Sequence, residues 1–282
     1  MPGVRQFNEC PRILRTTHKK RVAIDSQPVW RIIERIMNNS AKLAELRHSL
    51  ARYGLPPERR PKATGHPQAD AVLGGGLRPG CLHEVFATGW SAGGFALLLA
   101  LRVAGRKPLF WVRPAYEAME YGALSPHGVL ELGGDPQNLI LVATRNAADA
   151  LAAANDILAC PHVGALLLEI EGSPKCLDLV ASRRLGLAAG ESGVTAFLLR
   201  NGAMPAPSAA LTRWQVASAS SDVRDDDWGN PVFDAQLTRH RTGELGNFLM
   251  KWNAKDACFE PPDTGAVVRA PADRPAFAKI AS

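Results

Sequence analysis

The sequence has no long apolar run. A membrane-spanning helix needs about 18 consecutive apolar residues, and the most apolar stretch, Phe95–Leu101, has only seven. Arg5, Arg12, Arg15, Lys19, Lys20 and Arg21 near the start are followed by no apolar segment, which argues against a secretory signal. Cysteine is scarce and unpatterned. Cys10, Cys81, Cys160, Cys176 and Cys258 are odd in number, widely spaced and without a C-x-x-C, so neither a disulfide framework nor a zinc ribbon is expected. The seven histidines show no H-x-x-x-H spacing, and a metal site is not expected. With 46% hydrophobic and 21% charged residues, the chain is not disordered in the main. These absences together predict a cytoplasmic protein with no membrane contact, with association to the nucleoid as a variant of that address.

The charge that is present is unevenly placed. The formal net charge is +6, yet residues 1–62 alone hold 14 Lys and Arg against 5 Asp and Glu. The front is a basic arm and the body is slightly acidic. Such an arm can neutralise phosphates and release counterions. It can equally be a solvated face. If it binds DNA, removing it should weaken binding and flatten the salt dependence.

Three regions follow from patterning. Residues 1–62 form a basic extension and linker. Val29, Ile32, Ile36, Leu43, Leu46 and Leu50 give 29–53 an amphipathic helical stripe, weakened at Asn38-Asn39-Ser40; Met37, just before that break, is an alternative start. The Pro-rich stretch 54–62 reads as a linker. Residues 63–260 are the organised body, and 261–282 read as a disordered tail. Within the body, apolar runs at Leu82–Ala87, Leu109–Val112, Leu139–Val142, Ala165–Ile170 and Val194–Leu199 predict buried strands. Helical stretches at Ala92–Val103, Asn146–Leu158 and Leu177–Ala189 lie between several of them. The alternation predicts an α/β fold with a mostly parallel sheet covered on both faces. Leu211–Ala217, Val232–Arg239 and Asn247–Lys255 then predict an antiparallel extension.

The informative stretch is 64–104. A short helix carrying Ala69, Val72 and Leu73 ends at Gly74-Gly75-Gly76, where no Cβ obstructs left-handed backbone. A strand, Leu82–Ala87, is followed by a small-residue loop, Thr88–Gly94, and an apolar helix. That order presents backbone N–H groups and a helix N-terminus to a phosphate. The candidate nucleotide-binding residues are therefore Thr88, Gly89, Trp90, Ser91, Ala92, Gly93 and Gly94, with Glu169 further on.

Thr64-Gly65, Asp70, Leu73–Leu77, Gly80 and Glu84 resemble the opening of the RecA-like P-loop core. The combination of GGGL-x-x-G-x-L-HEV (Gly74–Val85), FWVRP (Phe110–Pro114) and LTRWQV (Leu211–Val216) is similar to the ImuA family over about residues 64–255. That family is also labelled SulA-like. The resemblance implies a RecA-like accessory in SOS-induced error-prone translesion synthesis. Its implied partners are RecA or its filament, an ImuB-type Y-family polymerase-like protein and, indirectly, an error-prone DnaE-type polymerase, with DNA contact through the basic arm. The weaker analogy implies a cell-division inhibitor.

The departures bear on chemistry. A P-loop needs a Lys for the β/γ-phosphates and a Ser/Thr hydroxyl for Mg²⁺. Alignment on Leu82–Ala87 puts Ala92 at the last glycine, Gly93 at the Lys and Gly94 at the Ser/Thr. The next cation in the helix is Arg102, roughly 15 Å along the axis. The strand Leu109–Val112 should deliver a carboxylate that orients the attacking water; it ends in Arg113-Pro114-Ala115, with Glu117 the nearest acid. Glu169 stands where an Asp normally supports Mg²⁺. Each such group contributes about 10²–10³ in rate, so a pseudo-ATPase is expected. No cofactor is expected, and any ATP/Mg²⁺ binding should be weak. A working DNA-stimulated ATPase of recombinase type is the competing reading. Ser91, His83 and Glu84 lack the G-x-S-x-G context of a nucleophile elbow. Asp225-Asp226-Asp227 reads as a solvated acidic loop or a cation site. Trp90 reads as a base-stacking or packing residue, Trp214, Trp228 and Trp252 as packing residues. Arg183-Arg184 reads as a solvated helix face or a DNA contact.

Overall fold

The computed structural model describes residues 59–87, 91–116, 119, 122–221 and 229–262, all within the larger of two compact units, His48–Ser282. The expected helix over 29–53, the loop residues Thr88, Gly89 and Trp90, the acid Glu117, the acidic run 225–227, Trp228 and nearly all of the C-terminal tail lie outside the described residues.

A short helix α1 (Pro67–Val72) precedes β1 (Leu82–Ala87) and α2 (Ser91–Ala104). Then come β2 (Leu109–Pro114), α3 (Pro126–Glu131), β3 (Leu139–Thr144), α4 (Ala147–Leu158), β4 (Ala165–Glu171), α5 (Leu179–Ser192) and β5 (Thr195–Asn201). Four further strands close the body: β6 (Thr212–Ala219), β7 (Val232–His240), β8 (Gly246–Asn253) and β9 (Cys258–Glu260). One sheet holds all nine in the order β3-β2-β4-β5-β1-β6-β7-β8-β9. Pairing is parallel from β3 through β6 and antiparallel from β6 onward.

The two faces are covered differently. Helix α2 lies on one face, against β4, β5, β1 and β6, while α4 and α5 cover the other. The sequence of α2 is apolar nearly all round, which is the pattern of a helix buried on all sides. Phe95, Leu97, Leu98, Leu99 and Ala100 are all buried. The antiparallel strands provide the covering: Phe95 meets Trp214, Phe233 and Phe259 with ring centroids 5.8, 5.4 and 5.3 Å apart. Trp252 stands edge-on to Phe259 at 4.9 Å. Trp214 and Trp252 are therefore packing residues. On the other face, Ala150, Leu151, Ala154 and Leu158 of α4 join Leu185 and Ala189 of α5 over Leu166, Leu168 and Leu198. Asn146 caps α4 by accepting from the Asp149 N–H at 2.9 Å. Gly193 ends α5 in the left-handed conformation, φ 83°.

Four sequence expectations change. Leu139–Val142 is not a buried strand. It belongs to β3, the outermost strand of the sheet, where Ile140 and Leu141 are exposed. The segment Leu211–Ala217 is β6, which is antiparallel to β7 but parallel to β1. The helix begins at Ser91, so the last four residues of the expected loop, Ser91 to Gly94, are helical. Lys62, expected at the end of a linker, exchanges two 2.8 Å backbone bonds with Leu77 and so belongs to the body. Gly76 permits that pairing: a Cβ there would lie 2.2 Å from the Lys62 carbonyl oxygen.

Candidate functional site

In an open parallel sheet, ligands sit beyond the carboxyl ends of the strands, where the strand order reverses. Here that point lies at the end of β1. The chain leaves β1 across β5 and β4 to build β2, and later returns to build β6 on the opposite side of β1. The carboxyl ends of β2, β4 and β5 bring Arg113, Glu169 and Asn201 to the α2 side of that edge.

Glu169 sits inside a closed set of donors. The Trp111 indole Nε1–H donates to its Oε2 at 2.9 Å, and the Asn201 amide donates to its Oε1 at 3.0 Å. The Arg113 Nε lies 3.7 Å from Oε2. That is a charge contact and too long for a hydrogen bond; indeed Arg113 Nε is buried without a hydrogen-bond partner. The Arg113 guanidinium also lies over the Trp111 ring, 5.8 Å from its centroid. Side-chain exposure is 5% for Glu169 and 10% for Arg113. Burial pushes the Glu169 carboxyl up from its ordinary value, opposed by Arg113, Trp111 and Asn201. Each oxygen of the Glu169 carboxylate thus accepts one hydrogen bond from the protein, and its charge is met by a guanidinium from β2.

The start of α2 carries no cation among its described residues. Ala92 is fully buried. A Cβ on Gly93 would meet only Leu199 Cδ2 at 3.9 Å, and one on Gly94 would meet the Phe233 ring at 3.7 Å. Gly93 and Gly94 are thus ordinary helix with room for a Cβ. Ser91 Oγ donates to the Val216 carbonyl at 3.3 Å. Arg102, at the far end of α2, donates to the Ala63 carbonyl at 2.9 Å. Of the eight candidate nucleotide residues, Ser91, Ala92, Gly93, Gly94 and Glu169 are described; Thr88, Gly89 and Trp90 are not.

The motifs around the site turn out to be joined in space. His83 and Glu84 of β1 stand beside Thr212 and Arg213 of β6 in the parallel ladder. His83 Nδ1 is 2.7 Å from Thr212 Oγ1 and its Nε2 is 3.3 Å from the Arg78 carbonyl. A carbonyl only accepts, so Nε2 carries the proton and the Thr212 hydroxyl donates to Nδ1. On the opposite face, Arg213 donates to Glu84 Oε2 at 2.8 Å. His83, Glu84 and Ser91 are therefore engaged separately and form no relay. Asp70 accepts from the Thr64 N–H and hydroxyl, each at 2.7 Å, and from the Gly65 N–H at 3.0 Å. That carboxylate ties down a turn. Arg183 and Arg184 are exposed on α5. No group of three or more His, Cys, Asp or Glu suited to a metal exists among the described residues.

No protein-family model matches the sequence, and no curated protein matches it. Solved structures do. One is the crystal structure of the RadB recombinase, with 16% sequence identity, a TM-score of 0.50 and coverage of 71% of this chain and 99% of that one. The fold is RecA-like. The chain matches 424 solved chains, and a likeness at this identity carries architecture and leaves activity to the site. Gly93 and Gly94, the positions that the sequence alignment assigns to the Lys and hydroxyl of a P-loop, lie in the first turn of α2 and carry no side chain. No helix among the described residues is long and apolar enough to cross a membrane.

Proposed function

We propose that this chain is a non-catalytic RecA-like accessory protein of SOS-induced error-prone translesion synthesis. It bridges RecA to an ImuB-type polymerase-like protein and, through it, to an error-prone DnaE-type polymerase. The single observation that carries the non-catalytic reading is the closed cluster of Trp111, Arg113, Glu169 and Asn201 at the carboxyl edge. On this reading a guanidinium, Arg113, stands where the water-orienting acid belongs, and each oxygen of Glu169 is held by a protein donor. The ImuA-like motifs supply the choice of pathway: HEV, LTRWQV and FWVRP contribute Glu84, Arg213, Trp111 and Arg113, which pair with one another or with Glu169 inside the core.

The binding role has support from the outer edge of the sheet. RecA-like protomers associate by docking segments and sheet edges on a neighbouring core. Strand β3 is such an edge. Its far side pairs with no strand among the described residues, and it exposes Ile140 and Leu141 at 40% and 52%. Long apolar edges of this kind are normally blunted by charge or covered by a partner.

The test is capture of ImuB and RecA from purified components by the tagged full-length chain, with and without ATP. Capture of both, indifferent to ATP, is the expected result. Capture of neither, together with ATP turnover, would replace this reading with the recombinase-type ATPase.

A further inference from the structure

Helix α5 is apolar on the side that faces water as well as on the side that faces the sheet. Its inner side is fixed: Leu185 and Ala189 are buried, and Ala181 and Ala188 pack against the same core. A helix lying on a sheet normally turns polar side chains outward. Here Leu179, Val180 and Leu187 point outward, exposed at 51%, 54% and 51%. At 3.6 residues per turn, Val180 and Leu187 stand almost in line, two turns apart. Arg183 and Arg184 fall between them, one on each flank. Both arginines are exposed, and neither makes a hydrogen bond or ion pair among the described residues. The acids of the helix stand at its ends. Asp178 is the N-cap and accepts from the Ala181 N–H at 2.7 Å, and Glu191 lies in the last turn.

The segment after β5 adds to this surface. It passes the first turn of α5, where the Ala209 N–H donates to the buried Ser182 hydroxyl at 3.1 Å. Arg213 donates to the Ala206 carbonyl and to Ser208 Oγ, and Arg239 donates to the Ser208 carbonyl at 2.9 Å. Pro205 and Pro207 fix their own φ and keep Met204 and Ala206 extended. The segment is therefore held in place, yet Met204 to Pro207 are exposed, Met204 at 79%. Residues 202–210 contain no charge.

We propose that the outer face of α5, with this segment beside it, docks an amphipathic helix of a protein partner whose apolar stripe is flanked by carboxylates. Aliphatic side chains seven residues apart suit the i, i+3, i+4, i+7 anchors of such a helix, and exposed Met suits an adaptable binding surface. The two unpaired guanidinium groups beside the ridge select carboxylates on the incoming flanks and disfavour a basic helix. Single-stranded nucleic acid would stack on aromatic rings, and residues 179–191 and 202–210 contain none. The inference deepens the accessory reading and rests on it: a bridge holds two partners at once and needs two surfaces that do not overlap. β3 is the outermost strand, while α5 lies over β5 and β1. Three strand spacings, about 14 Å, separate β3 from β5.

The experiment is fluorescence anisotropy of a labelled synthetic helical peptide of about five turns, titrated with the full-length chain. The peptide carries Leu at i, i+3, i+4 and i+7 and Glu on both flanks. Its controls are the same composition in scrambled order and the same peptide with Lys for Glu. Saturable binding of the acidic peptide is expected, at least tenfold tighter than of either control. Arg183→Glu with Arg184→Glu should weaken it at least tenfold and reverse the preference toward the Lys peptide. Leu187→Asp should also weaken it at least tenfold, and Leu141→Lys on β3 should leave it unchanged. All these positions are exposed, and Arg183→Ala with Arg184→Ala is the milder pair should the charge reversal fail to fold. Absence of saturable binding, equal affinity for the scrambled peptide, or undiminished binding in the α5 variants would each overturn the proposal. So would an oligonucleotide that binds in place of the peptide and is lost with the two arginines. In the capture assay, the double variant should lose one of RecA and the polymerase-like protein at least tenfold and keep the other. Peptide binding through α5 without capture of either protein would remove the accessory reading and leave this surface standing. Capture of both by the α5 variants as by the parent would do the reverse.

Discussion

Glu169 decides how the carboxyl edge behaves, and its partners make two measurements possible. Removing one member of a buried ion pair strands the other, at a cost of about 3–5 kcal/mol. Glu169→Ala should therefore lower unfolding stability by about 3 kcal/mol, because Arg113 and the Trp111 N–H lose their acceptor inside the fold. Replacing both charges with apolar residues, Arg113→Met with Glu169→Leu, should cost much less than the two single changes summed. Urea unfolding of the four proteins reads out this cycle. Additive losses would show that the pair is not coupled. His83 gives a pH signature. Its folded pKa of about 4 lies below the ordinary 6.5, so the unfolded chain binds the extra proton between those values. Stability from this residue is fully present above pH 6.5, falls between pH 6.5 and 4 by about 3 kcal/mol in all, and levels off below 4. His83→Gln should flatten that slope in a series of unfolding midpoints against pH. An unchanged slope would assign the acid sensitivity elsewhere. Both residues were visible in the sequence, but their roles were not. Glu169 meets Trp111 and Asn201 at separations of 58 and 32 residues, and no local spacing rule reaches that far. The missing Lys is different. It is a local absence, legible in Ser91 to Gly94 without any structure.

Elements with both faces buried were the easiest to read. β4 and β5 are inside the sheet, and their near-continuous apolar runs say so. β3 has a similar run, Leu139 to Val142, yet lies at the edge. Composition does not encode which strand is outermost; the order β3-β2-β4 does. β9 and α3, with three and six residues, are too short to show a period, and α3 opens on Pro126. α2 was legible as buried on all sides, while its cover, the curled β6–β9 extension, became visible only through the contacts of Phe95. At this scale the exposed edge makes its own prediction. Leu141 is about half exposed, so Leu141→Lys should shift stability by no more than about 0.5 kcal/mol. If β3 is the docking edge, the same change should reduce capture of the partner that uses it by tenfold or more. Undiminished capture of both RecA and the polymerase-like protein would move the interface off β3.

Across the described residues the architecture is RecA-like, and the proposal is that the chemistry usual at its carboxyl edge has been given up. The nine-stranded sheet, the succession of β1 and α2, and the strand-order reversal are in place. At the positions that the sequence alignment gives to the P-loop Lys and hydroxyl stand Gly93 and Gly94, and Glu169 is paired with Trp111, Asn201 and Arg113. Phosphoryl transfer depends on positioned charge, and on the proposed reading this core directs too little of it at a phosphate for turnover. The most direct measurement is ATP hydrolysis by the full-length chain with Mg²⁺, with and without single-stranded DNA, in parallel with Glu169→Gln. Release of phosphate at the buffer rate in every case, indifferent to DNA and to the substitution, is the predicted result. DNA-stimulated turnover that disappears in Glu169→Gln would contradict it.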